Sequence, residues 1–169
     1  MRGFEPSVFN VGGGLGINFQ EPEQVPSFAD YFIIFRDHLD KKIQSTISFE
    51  LGRSLTAGCG SLISRVLFVK DGATETFVIL DAGMTDLLRP ALYHAYHRID
   101  NLTSALPEKK YSVAGPVCET ADTFARFIEL PETQRGDLIA IRSAGAYGEV
   151  MASRYNLRTL PPAVFSDNL

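Results

Sequence analysis

Gly60-Ser-Leu-Ile-Ser-Arg-Val-Leu-Phe-Val-Lys70, Asp71-Gly-Ala73 and Thr74-Glu-Thr-Phe-Val-Ile-Leu-Asp81 make up the stretch on which the fold turns. Its two outer parts alternate, or run, with β-branched and aromatic residues. Lys70-Asp71-Gly72-Ala73 between them carries the Asp-Gly signal of a hairpin turn. Ile63, Val66, Phe68 and Val69, then Phe77, Val78, Ile79 and Leu80, therefore read as two strands of an antiparallel pair. Further strands are expected at 111–115, 124–130 and 138–142, punctuated by Gly115-Pro116, Pro131 and Gly136-Asp137. This half of the chain is expected to be mostly β, an antiparallel β-barrel or sandwich.

Upstream the pattern differs. Residues 7–12 are too short an apolar run for a helix and read as a buried strand. Residues 18–26, with Pro22 and Pro26, form a loop. Ser27 has the character of a helix N-cap, with Asp30 three residues on. Phe28, Tyr31, Phe32, Phe35 and Leu39 then fall at helical spacing, with Arg36, Asp37, Asp40, Lys41 and Lys42 mostly on other faces. Ser45-Thr-Ile-Ser-Phe49 is again a short strand. Strand, helix, strand is a βαβ unit, the repeat of a parallel barrel or open sheet. The composition shifts near residues 54–60, which sets the expected domains at 1–57 (terminal part of a barrel) and 58–169 (mostly β). A lone βαβ unit exposes two sheet edges and cannot bury its own faces, so the chain is expected to be a piece of something longer.

The 169 residues, 45% hydrophobic and 21% charged, suffice for a globular core. A formal charge of −4 and the absence of any Lys/Arg cluster argue against nucleic-acid and anionic-membrane partners. No apolar run approaches the ~20 residues that span a bilayer. Cys59 and Cys118 stand far apart in no metal-like spacing, so reduced thiols in a cytoplasmic protein are expected.

Several short segments are richer in glycine and functional side chains than a core requires. Asn10-Val-Gly-Gly-Gly-Leu-Gly-Ile17 places three consecutive glycines, Gly12, Gly13 and Gly14, after a strand. Such a loop lets main-chain N–H groups approach an anion, or is simply a tight turn. Its spacing fits neither the dinucleotide fingerprint nor the nucleotide P-loop. Glu50-Leu51-Gly52-Arg53 ends the second strand and, in a parallel sheet, would sit beside that loop; a surface Glu–Arg pair at a turn is the plainer alternative. Asp81-Ala-Gly-Met84 leads to Arg89-Pro90-Ala91-Leu92-Tyr93, where Arg89 is either a carboxylate clamp or an arginine covering an apolar patch. His94 and His97 lack a third ligand type nearby and read as packing or hydrogen-bonding histidines, with no metal site. Gly115-Pro-Val-Cys-Glu-Thr120 offers an exposed thiol beside a carboxylate, or a small buried hydrophobe. Ser143-Ala-Gly-Ala-Tyr-Gly148 leaves Tyr147 free to lie on a flat ligand, or is a glycine-rich bend.

Taken together, these segments resemble the C-terminal part of the diaminopimelate decarboxylases, pyridoxal-phosphate enzymes with the barrel of the alanine racemase and ornithine decarboxylase group. The resemblance rests on Asn10–Ile17, Glu50–Arg53, Asp81–Ile99, Gly115–Thr120 and Arg142–Pro161, and Asp81–Tyr93 discriminates best. It implies that Gly12, Gly13 and Gly14 hold the cofactor phosphate, with Glu50, Leu51, Gly52 and Arg53 completing the cradle and Glu50 near the pyridine nitrogen. It implies that Arg53, Arg89 and Tyr93 bind the substrate carboxylate that is retained, that Glu119 receives the distal ammonium group, and that Tyr147 lies by the cofactor. Cys118 would be the catalytic proton donor, reaching with Glu119 into the site of a second subunit of a homodimer. The activity implied is conversion of meso-2,6-diaminopimelate to L-lysine and CO2.

Two departures qualify that expectation. Leu51 stands where the family usually has Pro, which mainly pre-sets φ. The family's Schiff-base lysine belongs to an early barrel strand, and the only lysines here are Lys41, Lys42, Lys70, Lys109 and Lys110, in no matching context. The chain alone is therefore expected to be inactive. The competing expectations are a non-catalytic fragment that dimerises or binds an intact partner, and a related pyridoxal-phosphate decarboxylase for another basic amino acid.

Overall fold

A computed structural model describes residues 6–39 and 44–168. The N-terminal part is the expected βαβ unit. Strand β1 (Val8–Asn10) pairs in parallel with β2 (Thr46–Ser48), and α1 (Phe28–Leu39) connects them. The Asp30 amide donates to Ser27 Oγ at 3.2 Å, so Ser27 supplies the cap its position predicts. Tyr31, Phe32 and Phe35 pack around Phe49, with ring centroids 4.8–5.8 Å apart in mostly edge-on geometry. Asp40, Lys41 and Lys42 lie outside the described residues.

One expectation fails here. Residues 7–12 read as a buried strand, yet Val8, Phe9 and Asn10 are all exposed. Helix α1 likewise has no buried residue, and Ile33 and Ile34 face outward. The apolar pattern encodes burial that two short strands and one helix cannot provide for themselves.

A short connection follows, α2 (Arg53–Thr56) and a single 3-10 turn (Ala57–Cys59), before the large sheet. That sheet has the order β5-β8-β3-β4-β6-β7, from β3 (Leu62–Asp71), β4 (Thr76–Leu80), β5 (Ile99–Asn101), β6 (Glu108–Ala114), β7 (Thr123–Pro131) and β8 (Leu138–Ile141). The predicted hairpin is present: β3 and β4 are antiparallel, and the Gly72 amide donates to the Glu75 carbonyl at 2.9 Å within the turn. All neighbours are antiparallel except β4 and β6, which run parallel. A parallel neighbour needs a long crossover, and residues 81–107 supply it. They also carry α3 (Arg89–Tyr93) and β5, two short elements without a local pattern strong enough to read.

The outer strands β5 and β7 approach each other, so the mixed sheet nearly closes into a barrel. The seam is bridged by Asn101, whose Nδ2 donates to Thr133 Oγ1 (3.0 Å) and Asp137 Oδ2 (2.9 Å). The core inside holds Val66, Val78, Leu80, Leu87, Tyr111, Val113, Phe124, Leu130, Ile139 and Ile141. Strand alternation places Ile63 on the outer face, and Phe68, beyond a bulge after Val66, is exposed too. No helix among the described residues is long and apolar enough to cross a membrane.

Candidate functional site

The glycine loop leaves β1 and turns at once against the end of β2. The Val11 amide donates to the Ser48 carbonyl (3.1 Å) and the Glu50 amide to the Gly12 carbonyl (2.9 Å). Asn10 secures the turn from both ends of its side chain: Oδ1 accepts from the Gly12 amide (2.8 Å), and Nδ2 donates to Glu50 Oε1 (2.6 Å). Gly12 and Gly14 take φ of 77° and 110°, a region that disfavours a side chain. A Cβ on Gly13 would lie 2.6 Å from the Glu50 carbonyl oxygen. Tyr31 donates to the Gly13 carbonyl at 2.8 Å, so α1 also holds the loop. The amides of Gly13 and Gly14 have no partner among the described residues, and nothing stands within 4 Å of where a Cβ on Gly14 would be. Two main-chain donors beside open space form a cradle for an anion.

Glu50–Arg53 links this cradle to a second feature. Gly52 caps α2, and a Cβ there would lie 3.3 Å from the Tyr147 hydroxyl. Tyr147 has φ of 61° in the loop after β8, and the Arg53 guanidinium lies 5.7 Å from its ring centroid. The loop is docked tightly: the Gly145 amide donates to the Ala57 carbonyl (3.1 Å) and the Ala144 amide to the Gly60 carbonyl (2.8 Å). Arg53, Arg89, Tyr93 and Tyr147 line one cleft of about 470 Å³, with Phe19, Tyr96 and Met151.

Arg89 is the cleft's buried charge. Its side chain enters from the first turn of α3, with its guanidinium carbon 5.8 Å from the Phe19 ring centroid and 5.9 Å from that of Tyr93. Burial, then the positive charge of Arg53, lowers its pKa from the usual arginine value. Nε of both Arg53 and Arg89 is buried without a hydrogen-bond partner among the described residues. Two neighbouring guanidinium groups with unmet donors call for an anion, and a carboxylate matches their geometry.

His97 confirms its packing role. It is buried, its Nδ1 bonds the Arg142 carbonyl at 2.9 Å, and it meets the Phe19 ring edge-on. Burial lowers its pKa, which keeps the imidazole neutral.

Cys118 and Glu119 do not line this cleft. They sit exposed on the loop between β6 and β7, which Asp122 fastens: Oδ2 accepts from the Val117 amide (2.6 Å), and Oδ1 accepts from the Met84 amide (2.6 Å). The structure thus gathers Glu50–Arg53, Arg89, Tyr93, Tyr147 and the glycine loop on one side, and keeps Cys118 and Glu119 apart from them. Phe19, Tyr96 and Met151 are lining residues that sequence reasoning missed. Phe19 and Met151 lie in irregular segments without a pattern, whereas Tyr96 stood in the aromatic run Tyr93-His-Ala-Tyr96 and was open to being noticed.

The family model described as "Pyridoxal-dependent decarboxylase, C-terminal sheet domain" matches residues 29–145. A diaminopimelate decarboxylase of Bacteroides thetaiotaomicron is 55% identical over 162 residues, covering 95% of this chain and 42% of that protein. The crystal structure of the Helicobacter pylori diaminopimelate decarboxylase complexed with L-lysine superposes with a TM-score of 0.79 at 45% identity, over 88% of this chain and 36% of that one. The M. jannaschii enzyme in co-complex with L-lysine gives a TM-score of 0.84 at 39% identity, over 94% of this chain and 37% of that one. The chain therefore spans about two fifths of the length of these relatives.

Proposed function

Because the chain belongs to the pyridoxal-dependent decarboxylases that share this C-terminal sheet domain, we propose that it works as the C-terminal part of a diaminopimelate decarboxylase. The reaction is conversion of meso-2,6-diaminopimelate to L-lysine and CO2, the last step of lysine biosynthesis, in the cytoplasm. The observation that carries this reading is the pair Arg53 and Arg89, each with an unmet Nε–H, in a cleft with Tyr93 and Tyr147. That arrangement suits the carboxylate that the reaction retains.

The residues present fit pyridoxal phosphate. Gly12, Gly13 and Gly14 would hold its phosphate through main-chain N–H groups, with Glu50, Leu51, Gly52, Arg53 and Tyr147 around it and Glu50 at its ring nitrogen. When bound, the cofactor supplies an electron sink for the electron pair released as CO2 departs. The chain's own residues do the rest. Arg53, Arg89 and Tyr93 bind and orient the retained carboxylate, Glu119 receives the distal ammonium, and Cys118 Sγ delivers a proton to the carbon that CO2 leaves.

Cys118 and Glu119 lie away from the cleft of their own chain, so they are assigned to the cleft of a second copy, which makes a homodimer the working unit. Free thiols at Cys59 and Cys118 are in keeping with a reducing compartment. The boundary between barrel portion and β domain is proposed between residues 57 and 58, within the 3-10 turn (Ala57–Cys59) that precedes β3. Of the lysines among the described residues, Lys70, Lys109 and Lys110, none lines the cleft. The covalent attachment of the cofactor is proposed for a lysine outside this chain, as the family resemblance implies.

The test is direct. A decarboxylase holoenzyme carrying these residues is given meso-diaminopimelate, lysine, ornithine and arginine, and CO2 release is measured. Turnover confined to diaminopimelate, abolished by Cys118→Ala and weakened through a raised KM by Arg89→Met, is the expected result. Preference for another amino acid overturns the substrate assignment.

A further inference from the structure

Tyr155 belongs to none of the groups used above, yet its hydroxyl donates a hydrogen bond to Glu119 Oε1. The main chain around each partner is fixed independently of that bond. The Glu119 amide donates to the Val117 carbonyl (2.8 Å), and the Glu119 carbonyl accepts from the Asp122 amide (3.1 Å). On the other side, the Ser153 amide donates to the Thr85 carbonyl (2.8 Å). Arg158 then returns to the domain, its guanidinium donating to Thr85 Oγ1 (3.1 Å) and the Asp81 carbonyl, with the buried Asp86 carboxylate 3.6 Å away.

Between these anchors the chain makes an unfavourable turn. Asn156 and Leu157 take left-handed φ of 55° and 57°, which a leucine adopts only when its surroundings impose it. The Leu157 side chain is 97% exposed, so its own packing does not impose it. The turn lets Arg158 reach back to the domain while Tyr155 stays against Glu119.

Resting on the function proposed above, we infer that Tyr155 is a positioning residue that holds the Glu119 carboxylate in the orientation that receives the substrate's distal ammonium group. A glutamate on an exposed loop has several rotamers of similar energy. One charge-assisted hydrogen bond fixes one carboxylate oxygen and leaves the other for a ligand. The same bond raises the Tyr155 pKa from the ordinary tyrosine value, as do the charge of Glu119 and, more weakly, Cys118. The phenol therefore remains a donor at neutral pH.

Two measurements test this. In the 169-residue chain, 13C-tyrosine NMR follows phenol ionisation, with Tyr155 assigned by its loss in Tyr155→Phe. Tyr155 should ionise above the ordinary tyrosine value, and Glu119→Gln should bring it back. In a decarboxylase holoenzyme carrying these residues, Tyr155→Phe should raise KM for diaminopimelate about tenfold while kcat stays within about threefold, the loss of one hydrogen bond to a charged group. Tyr155→Phe combined with Glu119→Gln should lose no more than Glu119→Gln alone, because the two act as a unit. A Tyr155 that titrates normally overturns the inference, as does unchanged KM or additive losses. A wild-type holoenzyme that does not turn over diaminopimelate overturns the functional reading itself, whatever Tyr155 does in the NMR titration.

Discussion

Asp122→Asn offers the sharpest check on how the Cys118–Glu119 loop is held. Asp122 is 3% exposed and accepts two main-chain N–H groups from different segments, Val117 of its own loop and Met84 of the turn before α3, both at 2.6 Å. Its own main chain closes the loop as well, with the Gly115 amide donating to its carbonyl at 3.0 Å. An asparagine can accept from only one of the two amides and would turn an N–H toward the other. One buried donor is left unmet and one charge-assisted bond becomes neutral, a loss of about 3 kcal/mol. For a chain of this length that lowers Tm by roughly 6–12 °C.

The pH dependence gives a second, independent arm. Burial raises the Asp122 pKa from its ordinary value; the bonds from Met84 and Val117 and the charge of Arg158 act against the rise, and Asp86 adds to it. A raised pKa means that the folded chain binds the proton more tightly than the unfolded one. From the ordinary carboxylate range up to the folded pKa, stability of the wild type therefore falls as pH rises. The Asp122→Asn variant lacks this titration. The stability gap should be widest on the acid side and narrow toward neutrality, as read from urea melts of both proteins between about pH 4 and pH 7. A loss below about 1 kcal/mol refutes the clamp. A gap that widens with pH refutes the ranking of burial over hydrogen bonding.

Arg89→Met should leave Tm within about 2 °C of wild type, because removing a buried cation beside the half-buried Arg53 relieves repulsion and desolvation. In a holoenzyme it should nonetheless raise KM for diaminopimelate by about 30-fold or more. A large drop in Tm would make Arg89 a structural residue instead. Gly145→Ala places a methyl group against the Thr56 carbonyl and 2.9 Å from Cys59 Sγ. It should dislodge the Tyr147 loop, read as a several-fold weaker effect of added phosphate on Tm and as a loss of stability of about 2 kcal/mol. Pyridoxal phosphate added to the 169-residue chain should give no stoichiometric borohydride-reducible adduct in intact mass. Such an adduct, together with decarboxylation, would defeat the assignment of the attachment lysine elsewhere.

The parts of the fold legible in the sequence are those with a local period. Phe28, Tyr31, Phe32, Phe35 and Leu39 announced α1, and the Asp71-Gly72 turn between two β-branched runs announced β3 and β4. What escaped had no period to read. Strand β5 is three residues with one apolar side chain, Ile99, and α3 begins at Arg89-Pro90 and lasts little more than a turn. The parallel pairing of β4 with β6 is a property of the 81–107 crossover, and no local pattern encodes it. For the site, residue types alone left each segment with a plainer alternative; the family resemblance singled out the glycine loop, Arg53, Arg89, Tyr93 and Tyr147, and the structure brings them together. Tyr155 and Asp122 went unread because their roles consist of single side-chain contacts, Tyr155 with Glu119 and Asp122 with the Val117 and Met84 amides, that leave no period in the sequence.

Asp81–Tyr93 is the stretch where those two kinds of information meet, and there is a physical reason why it discriminates best. Asp81 closes β4 by accepting from Ser64 Oγ (2.6 Å) and the Arg65 amide (2.9 Å). Gly83 has no room for a side chain, since a Cβ would meet Val117 at 3.0 Å and Asp122 at 3.1 Å. Asp86 turns back to accept from the Gly83 amide (2.7 Å) and draws in Arg158. Only after that turn does α3 present Arg89 and Tyr93 to the cleft. The same few residues therefore hold the carboxylate clamp on one side and, through Asp122 and Arg158, the Cys118 loop and Tyr155 on the other. Substitution at most of these positions would disturb both sides together. Asp122→Asn should consequently weaken the effects of Glu119 and Tyr155 as well as stability, whereas a variant of the clamp alone, Arg89→Met, should leave the Tyr155 titration unchanged.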